Sequence, residues 1–136
     1  MHYKKFYEIN DTIVKIRTDV FIIEQGFKNE IDSIDNNCTY IVLYEGQTPC
    51  AVCRYFKTDG IYHIGRVAII KTHRAKNLGR KIMQIAEDEI SKEGGKRIEI
   101  SAQVRVRDFY TKIGYTTVGE VYLDEYCPHI KMEKEI

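Results

Sequence analysis

Residues 61–95, IYHIGRVAIIKTHRAKNLGRKIMQIAEDEISKEGG, decide the fold. The first ten are rich in β-branched and aromatic residues and read as a strand. From Leu78 the period changes. Ile82, Ile85, Ala86 and Ile90 recur at helical spacing with Arg80, Lys81, Gln84, Glu87 and Asp88 between them, and Gly94-Gly95 ends the pattern. Between strand and helix lies His73-Arg74-Ala75-Lys76-Asn77-Leu78-Gly79-Arg80. Such a loop brings backbone N–H groups and cationic side chains to a helix N-terminus, the arrangement that holds a pyrophosphate. A solvated basic connection is the other reading. A nucleotide P-loop is excluded, because the loop lacks G-x-x-x-x-G-K-[ST].

Working outward, residues 97–102 form a strand, so strand, helix and strand make a βαβ unit with parallel strands and a right-handed crossover. A second helix carries Val106, Phe109, Tyr110 and Ile113 on one face and stops at Gly114. Residues 115–123 and about 130–133 read as the last strands. Upstream, residues 2–9 alternate as an edge strand. Asn10 or Asp11 caps a helix whose Ile13, Ile16, Val20 and Ile23 carry it to about Gln25, where Gly26 ends it. Strands over 38–44 and 50–57 form a hairpin that turns into the strand at 61. The order β-α-β-β-β-α-β-α-β-β predicts a mixed α/β sheet covered by helices, in one domain spanning 1–136.

The composition is that of an ordinary globular chain, 43% apolar and 30% charged, and a formal charge of +1 provides no field for nucleic acid or an anionic membrane. No apolar run approaches a membrane span, and the alternating N-terminus does not resemble a signal peptide, so a cytoplasmic location is expected. Cys50-Ala51-Val52-Cys53 spells C-x-x-C, but inside a strand residues three apart face opposite ways. Cys38, Cys50, Cys53 and Cys127 are therefore read as buried free thiols, and no metal site is expected. Residues 28–37 form an acidic loop with Glu30, Asp32 and Asp35, following Glu24. It is either a solvated connection or a pocket wall that favours a cation.

Several motifs together resemble the GNAT superfamily of acyl-CoA-dependent N-acetyltransferases. They are Arg74-x-x-Asn77-x-Gly79, with Asn in place of a glycine, and Phe109-Tyr110-x-x-x-Gly114-Tyr115. Val20-Phe21-Ile22-Ile23-Glu24-Gln25, Gly65-Arg66-Val67-Ala68, Ala102-Gln103 and Pro128-His129-Ile130-x-Met132 extend the likeness to the ElaA-type branch. Asn tolerates the positive φ that the missing glycine would have supplied.

The resemblance implies a mostly antiparallel sheet whose central parallel pair splays around the coenzyme, with helices on both faces. It implies acetyl-CoA as cosubstrate, with Val67, Ala68 and Ile69 bonding the pantetheine arm through their backbone. Arg74, Ala75, Lys76, Asn77, Leu78, Gly79 and Arg80 would hold the pyrophosphate, with Gln103 and Phe109 also against the coenzyme. A backbone N–H near Val67 or Ala68 would face the developing oxyanion. Tyr110 would be the general acid, although its apolar helix face also allows a core role. Glu24 and His129 are candidate bases or acceptor-pocket residues, with His63 third, on the strand face of Gly65, Val67 and Ile69 by alternation. The implied activity is acetyl transfer to a primary amine of a small molecule. A peptide or protein amine and a non-catalytic acyl-CoA sensor are the alternatives, and a homodimer is compatible with the family.

Overall fold

The computed structural model describes residues 1–136. Its seven strands are β1 (His2–Phe6), β2 (Thr39–Glu45), β3 (Thr48–Thr58), β4 (Ile61–Ile69), β5 (Arg97–Gln103), β6 (Thr116–Asp124) and β7 (Cys127–Glu135). They form one sheet in the order β1-β2-β3-β4-β5-β7-β6. All neighbours are antiparallel except β4 and β5. The expected βαβ unit is therefore the hinge between two antiparallel halves.

The period of two along the inner strands sends alternate residues to different helices. Ile41, Leu43 and Cys53 lie with Leu78, Ile82, Met83, Ala86 and Ile90 of α2 (Leu78–Lys92). Tyr40, Val42 and Val52 lie with Ile13, Ile16 and Val20 on the opposite face. Of these last, Ile13 and Ile16 belong to α1 (Asp11–Arg17), and its cap is Asn10, whose side chain accepts the Ile13 N–H at 2.9 Å. The helix continues as expected, but as wide π-helical turns over Thr18–Glu24, and the chain leaves them at Gly26 with φ +78°. α3 (Arg107–Lys112) sits on the α2 side, packing Phe109, Tyr110 and Ile113 against that core. No helix is long and apolar enough to cross a membrane.

Three local expectations need correction. β1 stops at Phe6, where its pairing with Tyr40 ends. The acidic loop contains a 3-10 turn, Ser33–Asn36, closed by a reciprocal cap between Asp32 and Asp35. Cys50 and Cys53 lie in the same core, because the pairs Leu43↔Ala51 and Tyr44↔Pro49 leave Cys50 as the extra residue of a β-bulge. The four thiols are buried and unbridged, and burial pushes Cys53 up to about 12.

The two glycines ending α2 have different tasks. Gly94 takes φ +92°, whereas a Cβ on Gly95 would stand 2.4 Å from Ile90 Cγ2 and 2.8 Å from Tyr62 Cδ1. Gly95→Ala should therefore destabilise the protein by about 1–3 kcal/mol in urea unfolding. A loss below about 0.5 kcal/mol would show that α2 does not press on β4 there.

Candidate active site

β4 and β5 pair only at Tyr62↔Ile98 and His63↔Glu99, then separate. Just beyond that point β4 is irregular. Opposite it, Val52 pairs with Ala68 and Arg54 with Gly65, so Cys53 alone faces two residues, Arg66 and Val67. Arg66 takes up the extra length with φ +50°, an uncommon conformation for a side-chain-bearing residue. The resulting cleft of about 230 Å³ is lined by Val67 and Ile69 of β4, Ile100 of β5, Gly79, Tyr110 and His129 among others. The bulge also reverses the alternation. Tyr62 and Ile64 share the α2 side with Val67 and Ile69, so His63 is on the other face, stacked on Phe56 at 5.0 Å. Burial lowers its pKa, and it does not line the cleft.

The bulge is held from the acidic loop. Arg66 donates through Nε and Nη2 to the Glu30 carbonyl at 3.1 and 2.9 Å and through Nη2 to Asp32 at 3.2 Å. Arg17, fully buried, bonds the Glu30 carboxylate and both oxygens of Asp35, at 2.7 and 3.0 Å. Arg54 forks onto Asp32 at 2.7 and 2.9 Å and pairs with Asp35 at 2.9 Å. Three guanidinium groups thus neutralise three carboxylates. This corrects the reading of Glu30, Asp32 and Asp35 as a wall awaiting a cation.

At the other end of β4 the loop turns through Lys71–His73, then through positive φ at Ala75 (67°) and Asn77 (62°). Asn77 occupies the expected left-handed position, but its side chain does not cap α2. The first helical bond is Lys81 N–H to the Asn77 carbonyl, 3.1 Å, which leaves the N–H groups of Leu78, Gly79 and Arg80 at an open, positive helix end. No acidic residue occupies that first turn. The Arg80 side chain is exposed there, and Lys76 lies 3.6 Å from Glu45.

Arg74 has a different task from the expected one. Its guanidinium forks onto Glu24 at 2.6 and 2.9 Å and onto the Ile69 carbonyl at 3.1 and 2.9 Å, tying the loop to the π-helical turns. The same hydrogen bonds lower the Glu24 pKa and occupy both its oxygens. Glu24 and Arg74, expected in separate roles, satisfy each other. Gly79 also packs closely, since a Cβ there would meet Phe109 Cζ at 3.2 Å and the ring would have to give by a few tenths of an ångström.

Backbone direction separates the residues of β4. Ile70 N–H bonds the Cys50 carbonyl on β3 at 3.0 Å, so the Ile69 carbonyl in the same peptide points into the gap. Alternation then turns Val67 to the gap and Ala68 to β3.

Tyr110 lines the cleft from α3, edge-on to Phe109 at 5.0 Å and to Tyr115 at 6.0 Å. Burial, with a smaller effect of nearby Cys53, pushes its phenol up to about 12, so it remains a proton donor at neutral pH. His129 stands across the cleft on β7. Its Nδ1 is 2.9 Å from the Cys127 carbonyl, which can only accept, so Nδ1 carries hydrogen and Nε2 of the neutral ring keeps its lone pair. Tyr122 stacks on that ring at 6.0 Å and bonds Ser101 through its hydroxyl. Gln103 donates to Gln25 at 2.9 Å and accepts from Arg105 at 2.7 Å, so both ends of its amide are engaged.

A splayed parallel pair whose cleft is lined by the uncapped end of α2, a tyrosine and a histidine agrees with the sequence comparison. The family model described as an acetyltransferase (GNAT) domain matches residues 11–136. The chain belongs to the GNAT acetyltransferase family. The protein named uncharacterized N-acetyltransferase YjcF of Bacillus subtilis is 32% identical over 123 residues, covering 88% of each chain. Escherichia coli ElaA is 27% identical over 131 residues, covering 91% of this chain and 86% of ElaA. The ElaA crystal structure has the same fold, with a TM-score of 0.86 over 98% of this chain and 99% of that one at 24% identity. An aminoglycoside 6'-N-acetyltransferase complexed with coenzyme A shares the fold at 14% identity, with a TM-score of 0.77 over 99% of this chain and 97% of that one.

In this GNAT domain a smaller cavity, about 40 Å³, adjoins the cleft and shares His129, Arg66, Phe21 and Gln103 with it. Phe27 and Asp124 complete much of its wall. Arg66 and Asp124 were not expected at the site. Arg66 stood in a quoted motif, but its role depends on a bulge that residue patterns do not mark, and Asp124 lay in what read as a turn.

The buried ion cluster has a measurable consequence. Although burial opposes it, Arg17, the Asp32 backbone and Tyr40 hold the Asp35 carboxyl far below the usual range. A depressed carboxylate stabilises the fold above its unfolded pKa of about 4, and that stability is lost as pH falls toward the folded value. Asp35→Asn should cost about 3–5 kcal/mol at pH 7 and flatten the acid limb of stability against pH. An unchanged acid limb would show that the cluster does not set it.

Proposed function

We propose that this protein transfers an acetyl group from acetyl-CoA to a primary amine of a small molecule by direct attack on the thioester. The observation that carries this reading is the wedge between β4 and β5, with the open N-terminus of α2 at one end and the free Nε2 of His129 at the other. The residues of the wedge suit the coenzyme: unpartnered N–H groups of Leu78, Gly79 and Arg80 and the Arg80 side chain for the pyrophosphate, and Val67 for the pantetheine arm. When bound, acetyl-CoA supplies an acyl group activated as a thioester.

The chain's own residues then divide the proton work. His129 Nε2 takes the proton that an alkyl ammonium must lose before it can attack. The Val67 N–H faces the gap where the carbonyl oxygen gains charge. Tyr110 gives its proton to the departing thiolate and regains one from solvent or His129. Glu24 is assigned to loop positioning, because Arg74 holds it ionised and occupied. The narrowness of the adjoining cavity favours a small acceptor over a peptide. Four unbridged thiols suit a reducing, cytoplasmic setting.

Saturating acetyl-CoA should raise the melting temperature by several degrees, since a ligand of the native state stabilises it by mass action. No shift would remove both the enzyme and the acyl-CoA sensor readings. Tyr110→Phe should lower kcat by about a hundredfold or more while leaving that thermal shift intact. Loss of the shift together with the rate would return Tyr110 to a packing role. Because the phenol lies near 12, its ionisation should not reduce kcat at up to about pH 10.

A further inference from the structure

One of the two carboxylates lining the smaller cavity has no partner in the protein. Glu30 is taken by Arg17 and Arg66, but the Asp124 carboxylate, exposed at the cavity mouth, accepts no hydrogen bond from another side chain and forms no ion pair. Arg105, the nearby cation on the cleft rim, turns its Nε to Gln103 at 2.7 Å. Asp124 also has a defined place relative to His129. In the β6–β7 ladder Tyr122 lies opposite His129 and Asp124 opposite Cys127, so Asp124 is on the His129 face, one two-residue step along. That step is about 7 Å.

The hairpin tip is fixed as well. Glu125 accepts from the N–H groups of Lys28 (3.0 and 3.1 Å) and Asn29 (2.9 Å), and Tyr126 packs on Phe27 at 5.5 Å. Asp124 is thus held at the cavity beside Phe27.

From this placement we infer that Asp124 is a specificity residue that binds a second cationic group of the acceptor, so that the preferred substrate is a short diamine. The inference rests on the acetyl-transfer reading above. The ammonium at Asp124 is not the reacting nitrogen. A neighbouring carboxylate favours the charged form of an amine, whereas the attacking nitrogen must be neutral and within reach of His129 Nε2. An acceptor with a carboxylate in place of the second amine would be repelled by Asp124, and the Arg66 charge is already matched by Glu30 and Asp32.

The test compares acetyl transfer to 1,4-diaminobutane and to butylamine, in wild type and in Asp124→Asn, with kcat and KM determined separately. Wild type should prefer the diamine in kcat/KM by about tenfold or more, the size expected for one charge-assisted contact. Asp124→Asn should bring that ratio close to one, chiefly through the KM of the diamine. Equal use of the two amines by wild type, or a ratio that survives Asp124→Asn, overturns the diamine inference while acetyl transfer stands. Turnover of neither amine overturns the diamine inference, and loss of the acetyl-CoA thermal shift as well overturns the acetyl-transfer reading with it.

Discussion

The site depends on one extra residue in β4. Two residues, Arg66 and Val67, span the place opposite Cys53, just beyond His63, the last residue of β4 that pairs with β5. The separation exposes backbone groups that a regular parallel pair would have consumed. Holding Arg66 at φ +50° has a conformational cost, and its guanidinium bonds to Glu30 and Asp32 offset it. Those two residues are fixed in turn by Arg17 and Arg54. The buried ion cluster is therefore better understood as the abutment of the wedge than as part of its chemistry. Removing one partner would leave uncompensated charge at the point where the sheet opens.

A second ion pair couples the two ends of the wedge. Arg74 follows the turn Lys71–His73, and Glu24 ends the π-helical turns whose Phe21 lines the smaller cavity. Their bidentate contact links the loop before α2 to the wall of the smaller cavity through two charge-assisted hydrogen bonds. The hairpin tip of β6 and β7 closes the other side through Glu125 and the backbone of residues 28 and 29. Three separate parts of the chain thus meet around His129.

Much of the architecture was legible because it follows from period and punctuation. The change of period at Leu78 located α2, the paired glycines ended it, and the strand order made β4 and β5 the parallel pair. The positive φ of Asn77 followed from the side chains that tolerate it. Other features were not legible, for physical reasons. A β-bulge leaves no pattern when its residues are a cysteine or an arginine, so the Cys50–Cys53 pair and His63 were assigned to the wrong faces. Ion pairs between distant residues, Glu24 with Arg74 or Asp35 with Arg17 and Arg54, are invisible until the chain is folded. Each carboxylate had looked available for a ligand. Asp124, which the fold leaves unpaired, had no local signal at all.

The central claim is that the opened edge of β4 and the N-terminus of α2 together hold the coenzyme. Residue-resolved hydrogen exchange, with and without acetyl-CoA, tests it most directly. The amides of Val67, Leu78, Gly79 and Arg80 should become markedly protected on addition of acetyl-CoA, while Ala68, already turned to β3, changes little. Unchanged exchange at Leu78 to Arg80 under saturating acetyl-CoA would contradict the account.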